Sequence, residues 1–125
     1  MVVSNGVFKL GADGILGATP LVTVADGGTL DFNGKEVGDG EAVTGNVVTE
    51  FHIAGAGAGD WPWALTSSAD MTSSKNVCML HLDANATVGG AKELWMGVRN
   101  GAGWNAANKN LNLNGFTIRI LGDRY

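Results

Sequence analysis

The side chains in this sequence best suited to gripping another molecule are aromatic. Four tryptophans stand in 125 residues beside a single tyrosine. Trp61 and Trp63 bracket Pro62, Trp104 lies in the polar stretch Asn100-Gly101-Ala102-Gly103-Trp104-Asn105-Ala106-Ala107-Asn108, and Trp95 sits in an alternating run from Glu93 to Arg99. An indole has a large flat apolar face and one N–H donor at its rim. That suits the C–H face of a pyranose ring, with His81, Asp83, Arg99 and Asn112 supplying partners for the hydroxyls. A loop tryptophan serves equally well to fold back over the edge of a core, so Trp95, which alternates outward on a strand, is the best placed for exposure.

Catalytic chemistry has weaker support. Glycosidic cleavage needs paired carboxylates, and metal-assisted cleavage needs carboxylates grouped beside a basic residue. Asp13, Asp26, Asp31, Asp39, Asp60, Asp70 and Asp83 instead stand singly, next to glycine or at strand ends, as turn residues do. Ala12-Asp13-Gly14 and Ala25-Asp26-Gly27 read as turns before they read as calcium ligands, and calcium is left open. His52 and His81 are 29 residues apart with no cysteine or second histidine at metal-ligand spacing, so no metal site is expected. Neither a nucleophile elbow nor a phosphate loop is present; Gly55-Ala56-Gly57-Ala58-Gly59 lacks the lysine that would make it one. The chain is therefore expected not to be an enzyme, and a small polysaccharide lyase would need an aspartate cluster with a nearby Lys or Arg that the local sequence lacks. Cys78, the lone cysteine, lies among Val77, Met79 and Leu80 and reads as a small core hydrophobe.

A net charge of −4 and a charged fraction of 16% argue against nucleic acid, whose phosphates demand clustered Lys and Arg. No segment approaches the run of about 20 apolar residues that spans a membrane, and the N-terminus has no signal-peptide pattern. The length suits a single domain, 1–125, and strand-like sequence directly after Met1 suggests excision from a larger secreted protein. Twenty glycines are scattered among Val, Leu, Ile and Phe, as expected of corners between strands.

Short alternation punctuated by Gly, Asn or Asp predicts strands at Val7 to Leu10, Leu21 to Val24, Thr29 to Phe32, Glu50 to Ala54, Val77 to Asp83, Glu93 to Arg99, Leu111 to Leu113 and Thr117 to Ile120. Period two sends Leu30, Phe32, Phe51, Ile53, Leu80, Leu82, Leu94, Met96 and Val98 inward, and Asp31, His52, His81, Asp83, Glu93, Trp95, Gly97 and Arg99 outward. One segment is echoed: Thr29-Leu30-Asp31-Phe32-Asn33-Gly34 returns as Asn110-Leu111-Asn112-Leu113-Asn114-Gly115. Asn-Gly tolerates the left-handed backbone of a tight corner and would mark a hairpin in a β-sandwich. Irregular spacing without matched hairpin partners favours a solenoid, in which each repeat buries its neighbour.

The run Gly6 to Val37, with Gly11-Ala12-Asp13-Gly14 and Val24-Ala25-Asp26-Gly27-Gly28-Thr29-Leu30-Asp31-Phe32-Asn33-Gly34, resembles autotransporter-associated β-strand repeats. So does Leu80 to Ile120, with Asp83-Ala84-Asn85-Ala86-Thr87-Val88-Gly89-Gly90 and Leu111-Asn112-Leu113-Asn114-Gly115-Phe116-Thr117-Ile118; the middle, Ala54 to Lys75, departs from the pattern. The resemblance implies an all-β, right-handed parallel β-helix of a few short rungs on an extracellular or cell-surface bacterial protein. In general character the chain is also similar to β-helical carbohydrate-binding modules found beside xylanases. The expected function is non-catalytic recognition of an extended plant polysaccharide, a xylan-like β-glycan, through Trp95, Trp61, Trp63, Trp104, His81, Asp83, Arg99 and Asn112, in a parent chain carrying a glycoside hydrolase domain. The alternative is a structural or adhesive stalk segment of a bacterial surface protein. Open solenoid ends would also allow end-to-end self-association.

Overall fold

In the computed structural model of the chain, residues 1–16, 19–36, 49–71, 77, 79–94 and 110–122 are described. Short runs that alternate aliphatic with polar residues become strands that bury one face. They are β1 (Val2–Val3), β2 (Gly6–Lys9), β3 (Leu21–Val24), β4 (Gly28–Asp31), β5 (Glu50–Gly55), β6 (Leu65–Thr66), β7 (Met79–Gly90), β8 (Asn110–Asn112) and β9 (Ile118–Gly122). No helix occurs among the described residues, and the fold is all-β.

All the strand pairings among the described residues are parallel. Parallel neighbours cannot be joined by a two-residue turn, so the Asn-Gly pairs are not hairpin turns. The hydrogen-bonded order is β1-β3-β5-β7-β6-β4-β2, with β8 and β9 also on β7. Two arms therefore meet at β7. Met79 to Leu82 lie against β5, and Val88 and Gly89 lie against β6; β8 extends the first arm and β9 the second. The sheet bends round until it is nearly closed and barrel-like.

The core consists of files of like side chains from successive strands. Val3, Val24, Ile53 and Leu82 are in register on one arm, and Leu30, Leu65 and Val88 on the other; all are buried. Each fully buried Leu, Ile or Val contributes about 2 kcal/mol. Phe32 and Phe51 link the arms edge to face, with centroids 6.0 Å apart and planes at 70°. The inward assignments of Leu30, Phe32, Phe51, Ile53, Leu80, Leu82 and Leu94 all hold.

The echoed segment proves to be the same corner used twice. Asn33 and Asn114 have left-handed φ angles of 52° and 48°, followed by Gly34 at 69° and Gly115 at 80°. In both copies the side chain two residues earlier accepts the asparagine N–H: Asp31 Oδ1 at 2.8 Å and Asn112 Oδ1 at 3.1 Å. In both, the asparagine Nδ2 donates to a carbonyl of the preceding pass, Leu10 at 3.0 Å and Leu82 at 2.9 Å. One copy follows β4 and the other β8, so the motif serves different arms.

Three expectations need correction. The strand read as Val77 to Asp83 is β7, which begins at Met79 and runs on to Gly90; the Asp83-Ala84-Asn85 stretch is absorbed as a register shift opposite Ile53 and Gly55. Strand β6 has only two residues, too few for alternation to reveal. Asp31, expected to face outward, is completely buried at 0% exposure. Its carboxylate does leave the apolar core, but the chain following β6 covers it: Oδ1 accepts the N–H of Ser68 at 2.8 Å as well as that of Asn33. Lys9 Nζ lies 3.6 Å from Oδ2. Of the strand expected from Glu93 to Arg99, Glu93 and Leu94 are not in a strand and the remainder, Trp95 to Arg99, lies outside the described residues, as do Cys78 and Trp104.

Replacing Asp31 with Ala strands two N–H groups in a buried site and should cost about 2 kcal/mol in urea unfolding. Lys9→Ala, which removes a half-exposed partner, should cost less than about 1 kcal/mol. Equal losses would mean that the ion pair, rather than the turn hydrogen bonds, fixes this corner.

Candidate functional site

With Phe51, Ile53, Leu80 and Leu82 buried, alternation turns Glu50 and His52 of β5, and His81 and Asp83 of β7, to the outer face. Register places His52 opposite His81 and Glu50 opposite Met79. Parallel strands set equivalent side chains about 4.8 Å apart, and the two imidazoles accordingly stack with centroids 4.9 Å apart and planes within 5°. One carboxylate oxygen, Glu50 Oε1, lies 3.1 Å from His52 Nε2 and 3.0 Å from His81 Nε2. Asp83 Oδ1 lies 2.9 Å from His52 Nδ1.

His52 thus has a carboxylate at each ring nitrogen, and donating to both requires the imidazolium form. Partial burial, the largest single influence, works against that charge. The hydrogen bonds to Asp83 and Glu50, reinforced by the negative charge of both, outweigh it and hold the His52 pKa above its ordinary value. His81 differs. Its Nε2 is close to Glu50 but badly aligned, so this buried nitrogen has no hydrogen-bond partner among the described residues. One ligand-type atom each from Glu50, His52 and His81 fall within 4.8 Å of one another.

Around this cluster runs an outward file. Thr23, His52, His81 and Asn112 are successive register partners on β3, β5, β7 and β8. Of the residues anticipated from sequence, His81, Asp83 and Asn112 therefore share one face. Trp61 and Trp63 are half-buried in the loop between β5 and β6. That loop is fastened to β4: Thr29 Oγ1 donates to the Trp63 carbonyl at 2.8 Å and accepts the Ala58 N–H at 2.9 Å. Trp95, Arg99 and Trp104 lie outside the described residues.

Sequence reasoning missed Glu50 and His52. The available signal was the recurrence of Phe51-His52-Ile53 as Leu80-His81-Leu82. Their 29-residue separation is too long for a local ligand motif, yet it spans one strand-to-strand step of this sheet. No family model, curated protein or solved structure matches the chain, so the repeat resemblance rests on its motifs alone.

In chelator-treated protein, an NMR titration should place the His52 pKa above 6.5, with Asp83→Asn lowering it. Glu50 on its own strand and His81 and Asp83 on β7 are the titratable groups around it among the described residues. Because the folded value is raised, the stability contributed by this charge is full below the unfolded pKa of about 6.5 and is lost as pH rises through the folded one. A folded pKa at or below the ordinary value would refute the double-carboxylate account.

Proposed function

We propose that the chain is a right-handed parallel β-helix whose outer face is a non-catalytic binding surface for an extended polysaccharide of the xylan-like β-glycan class. Successive passes of the chain are then coils, each adding to both arms, with two strands in most passes and with β7 alone in one. The right hand follows the strong preference of parallel crossover connections. The observation that carries the reading is the file Thr23, His52, His81 and Asn112, four hydrogen-bonding side chains in register across four strands. Such a file repeats at about 4.8 Å and offers a straight strip of donors and acceptors to the hydroxyls of a chain-like ligand. Glu50 and Asp83 border it. Trp61 and Trp63, together with Trp95, Arg99 and Trp104, belong to the proposal as aromatic and cationic contacts at its margins. A secreted bacterial parent carrying a glycoside hydrolase domain fits the same reading.

The stalk alternative draws on a different observation. Phe8, Leu111 and Ile120 are register partners of buried Leu30, Leu80 and Val88, yet they are between 40% and 57% exposed. A further coil or a second copy stacked on either end would cover them.

Calorimetric titration with xylan, β-glucan and cellulose oligosaccharides separates the two. The glycan reading expects saturable binding to one of them, weakened at least tenfold by Asn112→Ala or Trp95→Ala. Absence of binding to every glycan, with a light-scattering mass above the monomer, favours the stalk.

A further inference from the structure

We propose that Glu50, His52 and His81 bind one divalent cation of the zinc class, with Asp83 as the residue that orients His52. The inference stands apart from the glycan reading, since it needs only the register of β5 and β7.

The ligand set argues for the class of ion. Two imidazoles and one carboxylate match zinc and its late first-row neighbours, whereas calcium and magnesium require shells of oxygen. Zinc with bonds near 2.0–2.1 Å holds tetrahedral ligands about 3.3 Å apart. Two of the three separations here are already 3.1 and 3.0 Å, and all three atoms fall within 4.8 Å. Small side-chain rotations on the outer face can close the remainder.

The polar bookkeeping of the site points the same way. Glu50 Oε1 faces two ring nitrogens at once but has a hydrogen bond with only His52. His81 Nε2 is buried against that oxygen without a partner among the described residues. A single cation between Nε2 of His52, Nε2 of His81 and Oε1 of Glu50 satisfies all three atoms, taking the place of the one hydrogen bond between His52 and Glu50.

His52 then keeps its Nδ1–H directed at Asp83 Oδ1, 2.9 Å away. This is the carboxylate–histidine–metal arrangement that fixes ring tautomer and orientation in metal sites. The ligands sit on paired strands rather than on loops, which holds their spacing. Side-chain exposures of 30% for His52 and 35% for Glu50 leave an approach from solvent. Three protein ligands leave a fourth position for water or for an oxygen of a bound molecule.

The test is calorimetry with zinc chloride on the metal-free full chain, paired with visible spectra of the cobalt(II) form. The expected result is one ion per chain, proton release on binding, tetrahedral cobalt bands and no comparable binding of calcium. Glu50→Gln and His81→Ala should each weaken zinc at least tenfold, and Asp83→Asn by about 10- to 100-fold. Thermal unfolding should shift upward with zinc in the native chain and stay still in the His52→Ala, His81→Ala double variant. Circular dichroism establishes that each variant is folded; should the double variant fail to fold, Asp83→Asn and Glu50→Gln carry the test. No saturable binding up to millimolar zinc, or undiminished binding in the folded variants, overturns the proposal.

Discussion

In-register parallel pairing is the constraint from which the rest of this molecule follows. Because each strand lies on one from an earlier pass of the chain, a residue's neighbours are the residues at the same position in other passes. Apolar positions therefore accumulate into continuous files, as Val3, Val24, Ile53 and Leu82 do. Polar positions accumulate in the same way on the other side, which is how Thr23, His52, His81 and Asn112 come to lie in line. Core and candidate site are two faces of one ladder.

Corners make that ladder tolerable. A strand that must stop and redirect the chain leaves backbone groups needing partners, and asparagine followed by glycine supplies both a left-handed turn and a side-chain amide. Asn33 and Asn114 use the amide to hold the carbonyl of an earlier pass. The corner thus ties itself to a neighbouring strand or strand end as well as turning the chain. Asp13 does related work, its Oδ1 accepting the N–H of Glu36, 23 positions later, at 2.9 Å.

Alternation made the inward residues readable, because period two is a local property of the strand. The echoed Asn-Gly segments were readable too, since left-handed backbone restricts residue type. What was not readable was register: nothing within Phe51-His52-Ile53 states that Leu80-His81-Leu82 lies beside it. In the sequence the two histidines and Glu50 accordingly stand as separate side chains. Asp31 illustrates the same limit. Its outward direction followed from the strand, but its burial depended on Ser68, 37 positions later. His81 and Asn112 are register partners and Asp83 is drawn to His52, whereas Trp95, around which they were expected, lies outside the described residues.

The length of β7 carries a consequence for the fidelity of the whole fold. Most strands here belong to one arm, but β7 spans twelve residues and serves both. A slip of one residue along a short strand such as β6 would disturb two side chains locally. The same slip along β7 would turn Leu80, Leu82, Ala86 and Val88 toward water and draw His81 and Asp83 inward, since each step reverses every face. A slip along the whole of β7 therefore costs both arms together, and one arm can shift alone only through the irregularity at Asp83 to Asn85. The long strand acts as a common ruler against which both halves are measured.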